Sequence, residues 1–239
     1  MTLWLIWSEE ENWFMASADN KMTAFYISEG GILSLSGLVF DTVAYTSDVL
    51  GALFANAGTT PENSKALLEL WHECSVPSAP YTSEATAIET MAQTLTAGLS
   101  GDSELLAERE EEERQVFFSE FLLFMKEMQI SSGSPCRTFD PMELSAEEGD
   151  WHRYQVAATR ACLRRRFFRT SRGYYALGPA CMRTGDIVAV LDGARVPYAL
   201  RPTEKGHLFL GECYVYDIMF GEAFGKYREY CEEKEFNLV

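Results

Sequence analysis

The stretch RRRFFRTSRGYYALGPACMRTGDIVAVLDGARVPYALRPTEKGHLFLGECYVYDIMFGEAF, residues 164–224, decides the fold. It reads as short strands broken by glycine and proline. Phe167-Phe168 runs into a turn at Ser171-Arg172-Gly173, Tyr174 to Leu177 forms the return, and Gly178-Pro179 breaks it. Gly185-Asp186 then introduces the apolar run Ile187 to Leu191, and Asp192-Gly193 turns it into Val196 to Leu200, since Asp-Gly between two apolar runs is a strong hairpin signal. With His207 to Leu210 and Glu212 to Ile218 added, the pattern predicts a curled antiparallel sheet or small barrel of about five or six strands, followed by an acidic tail.

Upstream the punctuation changes from strands to helices. Residues 131–149, with SSGSP, FDP and SAEEGD, read as a linker between a mainly helical front, 1–130, and a strand-rich back, 150–239, the whole forming one compact unit. The front holds one early strand, from Gly31 to about Val43, in which Leu33, Leu35 and Val39 share a face and Gly37 marks a bulge or a close approach. Three helices follow. Thr60 caps the first, with Pro61 at its first position; Ser83 caps the second, which Gly98 stops; the third covers Ser103 to Gln129. A short helix from Trp151 to about Leu163 places Trp151, Tyr154, Ala158 and Cys162 near one face. The predicted class is α+β, with the helical part packed on the curled sheet.

Composition excludes several functions. Thirty-six acidic residues against 20 basic give a net charge of −16, which repels phosphate backbones and anionic lipid, so general nucleic-acid binding is disfavoured. No segment approaches the roughly 20 apolar residues of a membrane span, and the N-terminus lacks the basic start of a signal peptide. Six cysteines are scattered without a CxxC pair or zinc-type spacing, so they read as thiols of a soluble cytoplasmic protein that needs no metal and no cofactor. The arginines at 160, 164, 165, 166, 169 and 172 form a basic knot, either paired with the acidic runs at 110–113 and 232–235 or open to an anionic ligand.

Two kinds of site are compatible with these residues. Asp186, Glu212 and Tyr214, with His152 and His207 as the best-placed histidines, form the candidate acid–base set. Arg166, Arg201, Tyr174 and Glu222, with Trp4 and Trp7, are the candidate ligand-binding residues, the aromatics lining a pocket for a small apolar metabolite. The alternative assigns Asp186 to a turn, Arg201 to an internal ion pair with Glu212 or Glu222, and Tyr214 to the core.

The same C-terminal stretch carries a series of motifs in order: Arg166-Phe167-Phe168, Thr170, Gly173-Tyr174, Leu177-Gly178-Pro179, Gly185-Asp186, Gly193, Pro197, Leu200-Arg201, Gly211-Glu212, Tyr214-Val215, Met219 and Gly221-Glu222-Ala223. In this it resembles the C-terminal region of fungal heterokaryon-incompatibility (HET) proteins. Tyr216-Asp217 departs from that pattern, which often has His-Gly there. The TIR-related domain with which HET proteins usually begin, and its cell-death activity, have no counterpart in these residues, so the chain reads as a fragment or a short relative. The resemblance implies an accessory module that binds a protein partner or ligand. The alternative is a cofactor-free isomerase, cyclase or hydrolase acting on a small fungal secondary metabolite.

Overall fold

A 17-residue strand with two usable edges organises the sheet. The computed structural model describes residues 14–18, 25–28, 30–75, 79–133 and 149–239, which fall into two units, residues 1–48 with 166–239 and residues 49–165. In the first unit β1 (Phe25–Ile27) pairs antiparallel with the start of β2 (Leu33–Val49). After them come β3 (Arg165–Thr170), β4 (Tyr175–Pro179), β5 (Ile187–Leu191), β6 (Tyr198–Thr203), β7 (Gly206–Glu212), β8 (Tyr214–Val215) and β9 (Glu232–Leu238).

The pairings close on themselves. Residues 37–42 of β2 lie against β5, β5 against β6, β6 against β7, β7 touches β9, and β9 runs back along residues 33–39 of β2. Five strands therefore form a ring, and β3, β4 and β8 extend the sheet from β2. Closure satisfies strand edges that would otherwise template aggregation. It also demands close approach at one point: a Cβ on Gly37 would stand 2.6 Å from the Val190 carbonyl oxygen and 2.8 Å from the Leu191 Cα, so the expected close approach is there, while the bulge lies between Val39 and Asp41.

Alternation then sorts the apolar residues into two clusters. Ile187, Ala189, Leu191, Leu200 and Phe236 pack together with Leu35, Val39, Tyr198 and Leu238. Leu38, Phe40, Val43, Val188 and Val190 pack on the opposite face with Phe168, Tyr174, Ala176 and Val215. β5 is buried on both faces, as its unbroken IVAVL suggests.

The α+β class holds, with three differences from the sequence reading. The sheet is mixed, because β7 and β9 meet in parallel at His207 and Leu238. The early strand continues to Val49 and is a central member of the sheet. The acidic tail contains β9, whose Phe236 is fully buried while Glu232, Glu233 and Glu235 point to solvent.

The second unit is helical: α1 (Gly51–Ala55), α2 (Pro61–Ser75), α3 (Glu84–Leu95), α4 (Glu111–Ser132) and α5 (Trp151–Cys162). The Thr60 and Ser83 hydroxyls accept from the Asn63 and Thr86 amides at 3.3 and 3.1 Å, the caps expected from sequence. α4 starts eight residues later than its charge pattern suggests, after a single 3-10 turn at Leu106–Glu108, and its three first-turn glutamates complement the helix dipole. Tyr154 on α5 sits among Phe117, Phe121 and Phe124 of α4, with its hydroxyl donating to the Ala92 carbonyl at 3.1 Å. Trp4, Trp7 and most of 131–149 lie outside the described residues.

Candidate functional site

The turn before β5 holds the most polar part of the sheet interior. Asp186, 1% exposed, accepts from Arg201 Nε at 2.8 Å and from its terminal nitrogen at 2.9 Å, and also from the Arg183 amide at 2.8 Å. Arg201 donates once more, to the Cys181 carbonyl at 2.7 Å, and the carboxylate beside it raises its already high pKa. Both Asp186 oxygens are thus engaged in a bidentate pair that fixes the β5–β6 edge. Arg201 forms its ion pair with Asp186, where the sequence had offered Glu212 or Glu222.

The remaining candidates are dispersed. Tyr214 is buried edge-on to Phe14 at 6.0 Å, and burial pushes its hydroxyl far above the ordinary tyrosine range. Glu212 pairs across the strands with Tyr198, whose hydroxyl is raised first by burial and then by that carboxylate. Glu222 accepts from the Phe220 amide at 2.7 Å. Arg166 donates to the Ala180 and Ser47 carbonyls, both at 2.6 Å, tying β3 to its surroundings. Tyr174 is buried against Phe40 and Tyr227. His152, in the helical unit, is exposed, stacks on Trp151 and meets Asp150 Oδ1 at 2.9 Å; Asp150 is held below its usual range by the His152 amide and then by the ring. His207 is buried in β7 against Phe236. Within the sheet unit, then, the contacts of Asp186, Arg201, Arg166 and Glu222 are structural ones.

The basic knot resolves into separate contacts. Arg172 pairs with Asp41 at 3.3 Å and lies over the Phe40 ring, Arg169 lies over Tyr45, and Arg160 donates to the Ser103 hydroxyl at 3.2 Å. Asp217, at the departure from the HET pattern, has φ +70°, a conformation that glycine adopts without cost. Its carboxylate accepts from Lys226 at 2.8 Å and from the Tyr227 hydroxyl, which burial and this contact raise well beyond the tyrosine range.

Sequence reasoning missed a cleft in the helical unit. Ser100, Asp102, Leu106, Arg109, Glu120 and Arg153 are among the residues that line it, around a volume of ≈ 210 Å³. Glu120, 4% exposed, has Arg153 Nε at 3.3 Å, and Arg153 also reaches Asp102. Burial raises the Glu120 carboxyl above the usual carboxylate range; Arg153 pulls it back, and Asp150 and Asp102 push it further up. The signal in the sequence was a charge on the apolar stripe of α4, since Glu120 stands three residues after Phe117 and four before Phe124.

A raised folded-state pKa has a defined consequence for stability. The folded state favours the protonated carboxyl, so the contribution is complete below the unfolded-state pKa and is lost as pH rises through the folded one. Glu120→Gln is therefore expected to gain stability over wild type as pH climbs from about 4 to about 7, with Arg153 still paired to Asp102. Urea midpoints across that range check it, and parallel pH profiles for the two proteins would rule it out.

Residues 136–239 match the model of the Het-6 beta-barrel domain. Over 79 residues, 31% of this chain, the sequence is 34% identical to heterokaryon incompatibility protein 6, OR allele, of Neurospora crassa, and that stretch is 11% of the relative. The chain thus spans about a tenth of the length of the curated relative it matches. No solved structure matches. The resemblance of the C-terminal region to heterokaryon incompatibility proteins is borne out. The matched stretch holds β5, β6, β7 and β9 of the ring, whereas β2, at Leu33–Val49, lies outside it. No helix among the described residues is long and apolar enough to cross a membrane.

Proposed function

We propose that this chain is a recognition module related to heterokaryon incompatibility proteins, binding a protein partner through its sheet unit. The observation that carries the reading is an apolar strand left in solvent. Phe25, Tyr26 and Ile27 of β1 are 58, 65 and 58% exposed. Phe25 and Ile27 continue the face of Leu35 and Leu33 across the ladder, next to the cluster closed by Phe236 and Leu200. Contiguous exposed apolar surface of this kind favours association, and Asp186, the buried acid of the same unit, has both carboxylate oxygens engaged by Arg201 and the Arg183 amide.

The test is differential capture from a fungal extract by the wild-type chain and by a Phe25→Asp/Ile27→Asp variant, with mass spectrometry of both retained proteins and altered metabolites. A protein enriched roughly tenfold or more by wild type over the variant is expected, because apolar anchors dominate binding energy. Equal enrichment by both would overturn the β1 surface.

A second reading has one observation in its favour, the buried Glu120 carboxyl in its cleft. A cofactor-free isomerase, cyclase or hydrolase for a small metabolite uses an acid of this kind. Conversion of a metabolite that disappears in Glu120→Gln would replace the recognition reading with the enzymatic one.

A further inference from the structure

The ring of strands has one junction unlike the others. β2 and β9 pair along seven residues and β6 and β7 along six, but β7 and β9 share the single rung His207–Leu238, supplemented by the Val239 amide donating to the His207 carbonyl at 3.0 Å. The residue at that rung is a titratable one. His207 is 8% exposed, its ring meets the Phe236 ring edge-on at 5.3 Å, and its Nδ1 is buried without a hydrogen-bond partner.

We infer that His207 is an acid-sensitive latch, whose protonation parts β9 from β7 and opens the ring at its weakest junction. A neutral imidazole tolerates this position as a mostly apolar ring against Phe236. Protonation places a positive charge in the ring and a new N–H donor at the buried Nδ1, which has no hydrogen-bond partner, and the Asn237 backbone offsets this only in part. The charge that acts on the ring, Lys234 on β9, disfavours the cation, with its ammonium 6.0 Å from the Phe236 ring. Arg201 on β6 is positive and committed to Asp186, Glu204 and Lys205 are exposed in the β6–β7 turn, and β2 presents Leu33, Ser34, Leu35 and Ser36 at this end. Glu232, Glu233 and Glu235 of β9 are exposed, and Glu212 is at the far end of β7.

Burial and then Lys234 lower the pKa of His207, against a hydrogen bond to the Asn237 backbone. A depressed folded-state pKa means stability that is complete above the unfolded value of about 6.5 and is lost as pH falls through the folded one. Because β9 also pairs with β2, release at this rung leaves the sheet otherwise intact and uncovers Phe236 and Leu238 of the inner cluster. The latch stands independently of any partner at β1.

Hydrogen exchange on the whole chain reads the junction directly. Between about pH 7.5 and about pH 5, and after correction for the intrinsic pH dependence of exchange, opening at residues 206–208 and 236–239 is expected to rise several-fold. In His207→Phe, which keeps an apolar ring against Phe236, the rise is expected to vanish, while β5 and β6 exchange equally in both proteins. An equal rise in wild type and variant overturns the latch. The wild type alone supplies a second check through the NMR titration of its His207 ring. Coincident midpoints for ring protonation and junction opening support the latch, and midpoints separated by more than about one pH unit overturn it.

Discussion

Arg201→Met is expected to cost the sheet unit about 3–5 kcal/mol, the penalty for leaving one member of a buried ion pair without the other. Asp186 remains in place, held by the Arg183 amide at 2.8 Å, with its carboxylate sealed and its two guanidinium contacts removed. The methionine fills much of the volume of the arginine stem, so the loss reports on charge more than on packing. At roughly 2–4 °C per kcal/mol for a chain of this size, the transition of the sheet unit falls by about 10 °C. The double variant Asp186→Asn/Arg201→Met recovers much of that loss, because no charge is then buried alone. Denaturant unfolding followed by hydrogen exchange in β5 and β6 separates this unit from the helices. If the double variant is as unstable as Arg201→Met, the pair is a packing element and the electrostatic account fails.

That ion pair illustrates what the sequence could and could not supply. Gly185-Asp186 and Leu200-Arg201 were each recognisable as special positions, and the hairpin that brings them together was legible from Asp192-Gly193. Their mutual partnership was not, because a bidentate contact depends on strand register, and Glu212 and Glu222 offered equivalent charge. β9 was hidden for a related reason. In EEKEFNL only Phe236 is fully buried, so the period-two pattern is carried by one strong apolar residue and reads as a solvated acidic run. Glu120 was visible as a charge on an apolar stripe, but its cleft depends on the loop at 99–105, where Ser103 has φ +65° and Leu99 bridges Leu105. The helix caps at Thr60 and Ser83 needed no tertiary information, and they were found where the sequence placed them.

The stretch matching the Het-6 beta-barrel domain, residues 136–239, is expected not to fold when expressed by itself, because the ring it belongs to is closed by a strand from outside it. Without β2, β5 loses its partner along residues 187–191, and β9 loses all seven of its rungs with β2, leaving only the one at His207. Leu38, Phe40 and Val43, each 2% exposed, leave the core with it. At about 1.5–3 kcal/mol for each fully buried side chain of this type, their loss is comparable with the whole ~5–15 kcal/mol by which domains are stable. The unpaired edges of β5 and β9 then favour aggregation. A cooperative unfolding transition for 136–239 alone would contradict the closed ring. Recovery of slow exchange in β5 and β9 on adding a peptide of residues 31–49 would locate the defect in β2, and the same peptide with Gly37→Val is expected to fail, since its side chain meets the Val190 carbonyl and the Leu191 backbone where the two strands touch.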